Sequence, residues 1–223
     1  MKGKDRMSHK TLFLQQSYED CTRQYMELLE KQKMPLWDYV ILTASNESQA
    51  QSYRMQIQYR LDHGMLPKSI HYAVLPDPDG KRVGSGGATL NVLRYIYQDA
   101  GSFDDKRILV IHSGGDSKRV PQYSACGKLF SPVPRLLPNG RRSTLFDEFM
   151  ISMCGVAARI SAGMLVCSGD VLLLFNPLQI DFYGSGAAAL SIKEPAETGK
   201  NHGVYRVDLS LIHISEPTRP ISI

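Results

Sequence analysis

The run RILVIHSGG, residues 107–115, constrains the fold more than any other stretch of the chain. It is continuously apolar and β-branched, and a glycine pair stops it. A strand that is apolar at every position must be covered on both faces, which is the signature of a parallel sheet between helical layers. Two further runs behave alike: WDYVILTAS at 37–45 and GMLVCSGD at 163–170. HYAVLPDPDG, from 71, reads as a strand that ends in a turn of prolines, aspartates and glycine.

Helical patterns separate these runs. Residues 16–34 place Cys21, Tyr25, Leu28 and Leu29 at helical spacing before Pro35. A second helix is expected over 47–63, capped by Asn46 or Ser45 and stopped by Gly64. A third is expected over 88–101, with Leu90, Leu93, Ile96 and Tyr97 on one face and Gly101 at its end. A fourth is expected over 144–161, with Thr144 as cap and Asp147 and Glu148 in its first turn. AAALSIK (187–193) and GVYRVD (203–208) read as two more strands. Alternating strands and helices predict an α/β, Rossmann-like fold, with a mostly parallel sheet and helices on both faces. Ligands of such sheets sit at the carboxyl ends of the strands.

Composition narrows the function classes. The chain has 223 residues with a formal net charge of +4, and no basic tail suggests a nucleic-acid partner. No apolar run approaches the roughly 18 residues of a membrane span. Cys21, Cys126, Cys154 and Cys167 are scattered without a C-x-x-C pair, which argues against a disulfide framework or structural zinc and favours a reducing, cytoplasmic setting. H-E-x-x-H and G-x-S-x-G are both absent.

Four segments near the expected strand ends could carry chemistry. The first is Gly84-Ser85-Gly86-Gly87-Ala88-Thr89. Glycines permit close backbone approach to a ligand, and the helix that follows offers free N–H groups to an anion. The pattern matches neither the dinucleotide nor the Walker A signature, so a plain helix-entry turn is an equal reading. The second is SGGDSKRVP, from Ser113, with GKLFSPVP, from Gly127. Gly114, Gly115 and Ser117 could donate to phosphate oxygens, and Arg119 and Lys128 could offset their charge. The third is Asp170, beside a glycine after an apolar strand, where a carboxylate could hold Mg²⁺. A capping aspartate is the alternative. The fourth is Asn201 with His202, which could bind a polyol or simply form a turn.

The order VGSGGATLN, ILVIHSGGDSKRVPQYSACGKLFSPVP, CSGDVLL, NHGVY resembles the L-fucokinase / fucose-1-phosphate guanylyltransferase family, over roughly residues 75–208. The resemblance implies a nucleotide-diphospho-sugar transferase (GT-A-like) fold. It implies a Mg²⁺-dependent reaction of GTP with fucose 1-phosphate to give GDP-L-fucose and pyrophosphate, in fucose salvage. Arg119 would then stabilise the departing pyrophosphate, Lys128 would neutralise a phosphate, and Asp170 would bind the metal. Gly114, Gly115 and Ser117 would belong to the nucleotide-binding signature. Some members add a kinase domain after a β-helical region, so the alternatives are the leading part of a fucokinase whose kinase domain is absent here, or a nucleotide-binding module without catalysis. LSLIHISEPTRPISI, 209–223, resembles translated sequencing adapter. The expectation is therefore a partial nucleotidyltransferase domain over 1–208, followed by an artefactual tail.

Overall fold

The computed structural model describes residues 8–31, 36–113, 123, 127–173, 175–177, 186–191 and 195–200. The chain divides into two compact units, Met1–Phe182 and Tyr183–Ile223. The first unit contains helices α1 (His9–Lys31), α2 (Glu47–Asp62), α3 (Gly84–Ala100) and α4 (Leu145–Ala157). Its strands are β1 (Tyr39–Ala44), β2 (His71–Pro76), β3 (Arg107–His112), β4 (Pro132–Leu136), β5 (Arg142–Thr144) and β6 (Gly163–Ser168). β2, β1, β3 and β6 form one sheet in that order, with every pair parallel. β4 and β5 form a separate antiparallel pair.

The period-2 alternation of strands explains why β1 and β3 are apolar throughout. Val40, Leu42, Ala44, Leu109 and Ile111 share a core with α1, α2 and α4. Tyr39, Ile41, Ile108 and Val110 share the opposite core with Val92 and Ile96 of α3. Each fully buried aliphatic side chain contributes about 1.5–3 kcal/mol relative to exposure. The mostly parallel α/β sheet with helices on both faces is therefore observed.

Several local expectations shift. α1 starts at His9, well before residue 16, because the Ser8 hydroxyl accepts the Thr11 amide at 3.1 Å and caps the helix. α3 starts at Gly84, so the glycines form its first turn and do not precede it. Its buried face is Ala88, Val92 and Ile96, whereas Leu90 and Tyr97 are 68% and 61% exposed. A single helix lies over this face of the sheet among the described residues, and a stripe at i, i+4 and i+8 is all it buries. β6 is half-exposed because it is the last strand in the sheet order, with a neighbour on one side only among the described residues. In the second unit, residues 187–191 carry no strand, contrary to expectation, and the one helix described is α5 (Ala196–Gly199). The strand expected over 203–208 lies outside the described residues.

Other signals hold. Asn46 caps α2 by accepting the Gln49 amide at 2.9 Å. Thr144 and Asp147 form a reciprocal capping box on α4. Asp147 also binds Arg60 of α2 with two bonds, at 2.7 and 3.0 Å, and both side chains are buried. The Arg60 guanidinium lies over the rings of Phe130 and Phe146, 5.0 and 5.7 Å from their centroids. This cluster joins α2, α4 and the turn that carries Lys128.

Candidate nucleotide site at the strand ends

The sheet order places the topological switch between β1 and β3. From β1 the chain moves outward to β2, then crosses back to β3 on the other side. Adjacent loops diverge at such a point and leave a crevice beyond the strand ends. A cavity of about 180 Å³ lies there. β1 contributes Thr43, Ala44 and Ser45; the end of β2 contributes Asp77; the end of β3 contributes His112 and Ser113. Arg82 and the first turn of α3, through Gly84, Ser85 and Ala88, complete the wall.

Each wall has a structural cause. The Asp77 amide donates to the Ala44 carbonyl at 2.8 Å, which holds the β2 loop against β1. Burial pushes the Asp77 carboxyl above its ordinary value, opposed by the Val83 amide, Arg82 and His112. That amide precedes α3, so the carboxylate sits at the positive end of a 17-residue helix. His112 pairs in register with Thr43 on one side and Ser168 on the other. Its Nδ1 lies 3.1 Å from Thr43 Oγ1, and its Nε2 lies 2.9 Å from Thr89 Oγ1. Burial pushes its pKa down, against the opposing pull of Asp77.

The second cluster lies at the end of β6. Lys128 Nζ is 3.3 Å from Asp170 Oδ2, with each side chain about one-third exposed (32% and 33%). Ser168 Oγ donates to Asp170 Oδ1 at 2.7 Å. That bond, then Lys128, holds the Asp170 carboxyl below its ordinary range despite some desolvation. Two glycines make this placement possible. Gly127 has φ +63°, and a Cβ there would meet the Tyr53 hydroxyl at 2.1 Å, so only glycine lets the turn seat Leu129 and Phe130 while Lys128 stays at the surface. The Gly169 amide donates to the His112 carbonyl at 2.7 Å, and a Cβ there would meet that oxygen at 2.9 Å. The β6 loop is thus tied to His112, the residue that walls the cavity.

Among the expected site residues, Gly84 and Ser85 line the cavity, while Gly86, Gly87 and Thr89 stand outside its lining. The Thr89 hydroxyl is engaged with the Ser85 carbonyl and His112. Lys128 and Asp170 are brought together. Gly114, Gly115, Ser117, Arg119, Asn201 and His202 lie outside the described residues. Thr43, Asp77, Arg82 and His112 were not singled out by the sequence. Their one readable signal is position, because Thr43 and His112 close apolar strands and Asp77 directly follows one. Among the described residues no group of three or more metal-ligating side chains exists, and Asp170 is the carboxylate at this strand end. Mg²⁺ is held by one or two carboxylates together with phosphate oxygens and water, and one carboxylate fits that lower limit.

Comparison with known proteins gives the family. Residues 100–219 match the fucose pyrophosphorylase domain. The Mus musculus fucose-1-phosphate guanylyltransferase is 34% identical over 184 residues, 79% of this chain and 30% of its own length. Its Homo sapiens namesake is 30% identical over 205 residues, 87% of this chain and 33% of its own. The Arabidopsis thaliana bifunctional fucokinase/GDP-fucose pyrophosphorylase is 33% identical over 199 residues, 77% of this chain and 19% of its own. The chain therefore spans a fifth to a third of these relatives. No solved structure matches it. With more than half of its length matched to the domain, the chain belongs to the fucose pyrophosphorylase family.

Proposed function

We propose that the chain carries the nucleotide-binding part of a GT-A-like nucleotidyltransferase that joins fucose 1-phosphate to GTP, with GDP-L-fucose and pyrophosphate as products. The observation that carries this reading is the switch-point cavity, bordered by Arg82 and the first turn of α3 and tied through His112 to the Lys128–Asp170 pair. Helix N–H groups and a guanidinium suit an anionic ligand. The names of the aligned relatives supply the sugar and the guanylyl group.

Little covalent work falls to the protein in phosphoryl transfer, where positioning and charge neutralisation dominate. Lys128 supplies a fixed cation, oriented by Asp170. Asp170, kept ionised by Ser168 and Lys128, supplies the carboxylate for Mg²⁺. Mg²⁺ held there would supply Lewis-acid neutralisation of phosphate oxygens. Gly114, Gly115, Ser117 and Arg119 are assigned to phosphate binding, and Asn201 and His202 to sugar binding, on the family resemblance alone.

Calorimetric titration of the 223-residue chain with GTP tests the proposal, followed by pyrophosphate release once fucose 1-phosphate is added. The expected result is GTP binding tighter than millimolar, weakened at least tenfold by Lys128→Ala and by Arg119→Ala. Equal affinity in the parent and both variants overturns the assignment.

A further inference from the structure

His112 lies between two threonines, and the hydroxyl protons decide its state. Thr89 Oγ1 donates to the Ser85 carbonyl at 2.9 Å. A hydroxyl has one proton, so toward His112 Nε2, 2.9 Å away, Thr89 can only accept. Nε2 therefore carries a hydrogen. In the neutral ring Nδ1 is then an acceptor, and Thr43 Oγ1 donates to it across 3.1 Å. Thr43 Oγ1 in turn accepts the Ser113 amide at 3.3 Å. Every group in the row has one consistent role, and the row has a direction. It runs from the Ser113 amide through Thr43, His112 and Thr89 to the Ser85 carbonyl.

The two ends of that row belong to different segments. Ser113 directly precedes the glycine pair at 114–115, and Ser85 sits between the glycines that open α3. Both line the cavity.

We propose that His112 is a positioning residue: held as its Nε2–H tautomer, it couples the Ser113 amide to the Ser85 carbonyl through Thr43 and Thr89, so that the end of β3 and the first turn of α3, which both border the cavity, hold one relative placement. Hydrogen bonds in series reinforce one another, so a break at one end loosens the other. This deepens the nucleotide-site reading and rests on it only for the ligand-binding arm of the test.

Two arms need no nucleotide. Long-range ¹⁵N–¹H NMR on the histidine-labelled 223-residue chain at neutral pH is expected to show His112 with a protonated Nε2 and a bare Nδ1. A dominant Nδ1–H form overturns the inference. Thr89→Val removes the acceptor at Nε2, and it should speed hydrogen exchange of the Ser113 amide, at the far end of the row, by about tenfold. Thr89→Ser keeps the hydroxyl and should restore slow exchange. Unchanged Ser113 exchange in Thr89→Val, with the far-ultraviolet spectrum retained, overturns the coupling. A loss of fold in Thr89→Val moves the same measurement to Thr43→Val, read at the Ser85–Gly87 amides. In the third arm, Thr89→Val should weaken GTP binding about tenfold and Thr89→Ser should recover it; equal weakening by both overturns the positioning role. A parent chain that does not bind GTP refutes the nucleotide reading, while the tautomer and exchange arms still decide His112.

Discussion

Gly169→Ala tests how tightly the β6 loop is built against β3. A Cβ at this position would lie 2.9 Å from the His112 carbonyl oxygen, 3.3 Å from Ile111 Cγ2 and 3.4 Å from Leu129 Cδ1. The first distance is about half an ångström short of ordinary contact. The obstructing atom is backbone at the carboxyl end of a parallel pair, and it already accepts the Gly169 amide at 2.7 Å. Neither partner can yield without disturbing that bond. Gly169 does not have a positive φ, so alanine incurs no conformational penalty of its own and the cost is steric. Overpacking of this kind costs about 1–3 kcal/mol. In a chain of this size that lowers the melting temperature by about 2–12 °C. Calorimetry of parent and variant reads the shift directly. Because Asp170 is the next residue, displacement of the loop also moves its carboxylate from Lys128, and pyrophosphate release should fall by about tenfold or more. A melting temperature within about 1 °C of the parent would show that the loop relaxes freely, and would refute the argument that close packing of the β6 loop fixes Asp170.

Gly86→Ala should behave in the opposite sense, because it lies in the first turn of α3 with open space around the added methyl; it should raise stability by up to about 1 kcal/mol in urea titration. Asp147→Ala strands the buried Arg60 guanidinium and should cost about 3–5 kcal/mol by the same assay. The His112 pKa lies below its ordinary value of 6.5, so the unfolded chain binds more protons as pH falls. The contribution of His112 to stability is full above pH 6.5 and is lost as pH drops through the folded value; His112→Gln should flatten the urea-midpoint profile between pH 7.5 and 5. Asp170 follows the carboxylate case: its stabilisation is present above its ordinary value of 3.8 and is lost as pH falls through the lower folded value, a step that Asp170→Asn should remove.

Burial explains which features were legible in the sequence. β1 and β3 are covered on both faces, and two-sided burial writes an unbroken apolar run that needs no context to read. The α2 and α4 caps are local contacts three residues apart, and they were equally plain. The face of α3 is legible only in part: Ile96 is buried, but the sheet accepts the smaller Ala88 and Val92 beside it, while Leu90 and Tyr97 face solvent. The site divides the same way. Lys128 and Asp170 stood out as charged residues beside glycines. Thr43 and His112, 69 positions apart, meet only through parallel register, and no spacing pattern records such a meeting.

The Arg60–Asp147 pair has a kinetic consequence. It joins residues separated by 87 positions, and closing a loop of that length costs about 4 kcal/mol of chain entropy beyond a fixed constant. A bond with so costly a closure is expected to form late, after the helices that carry it. Weakening it therefore leaves the folding rate nearly unchanged and accelerates unfolding. The turn bearing Lys128 lies under that guanidinium, through Phe130. Loss of this contact is expected to free that turn.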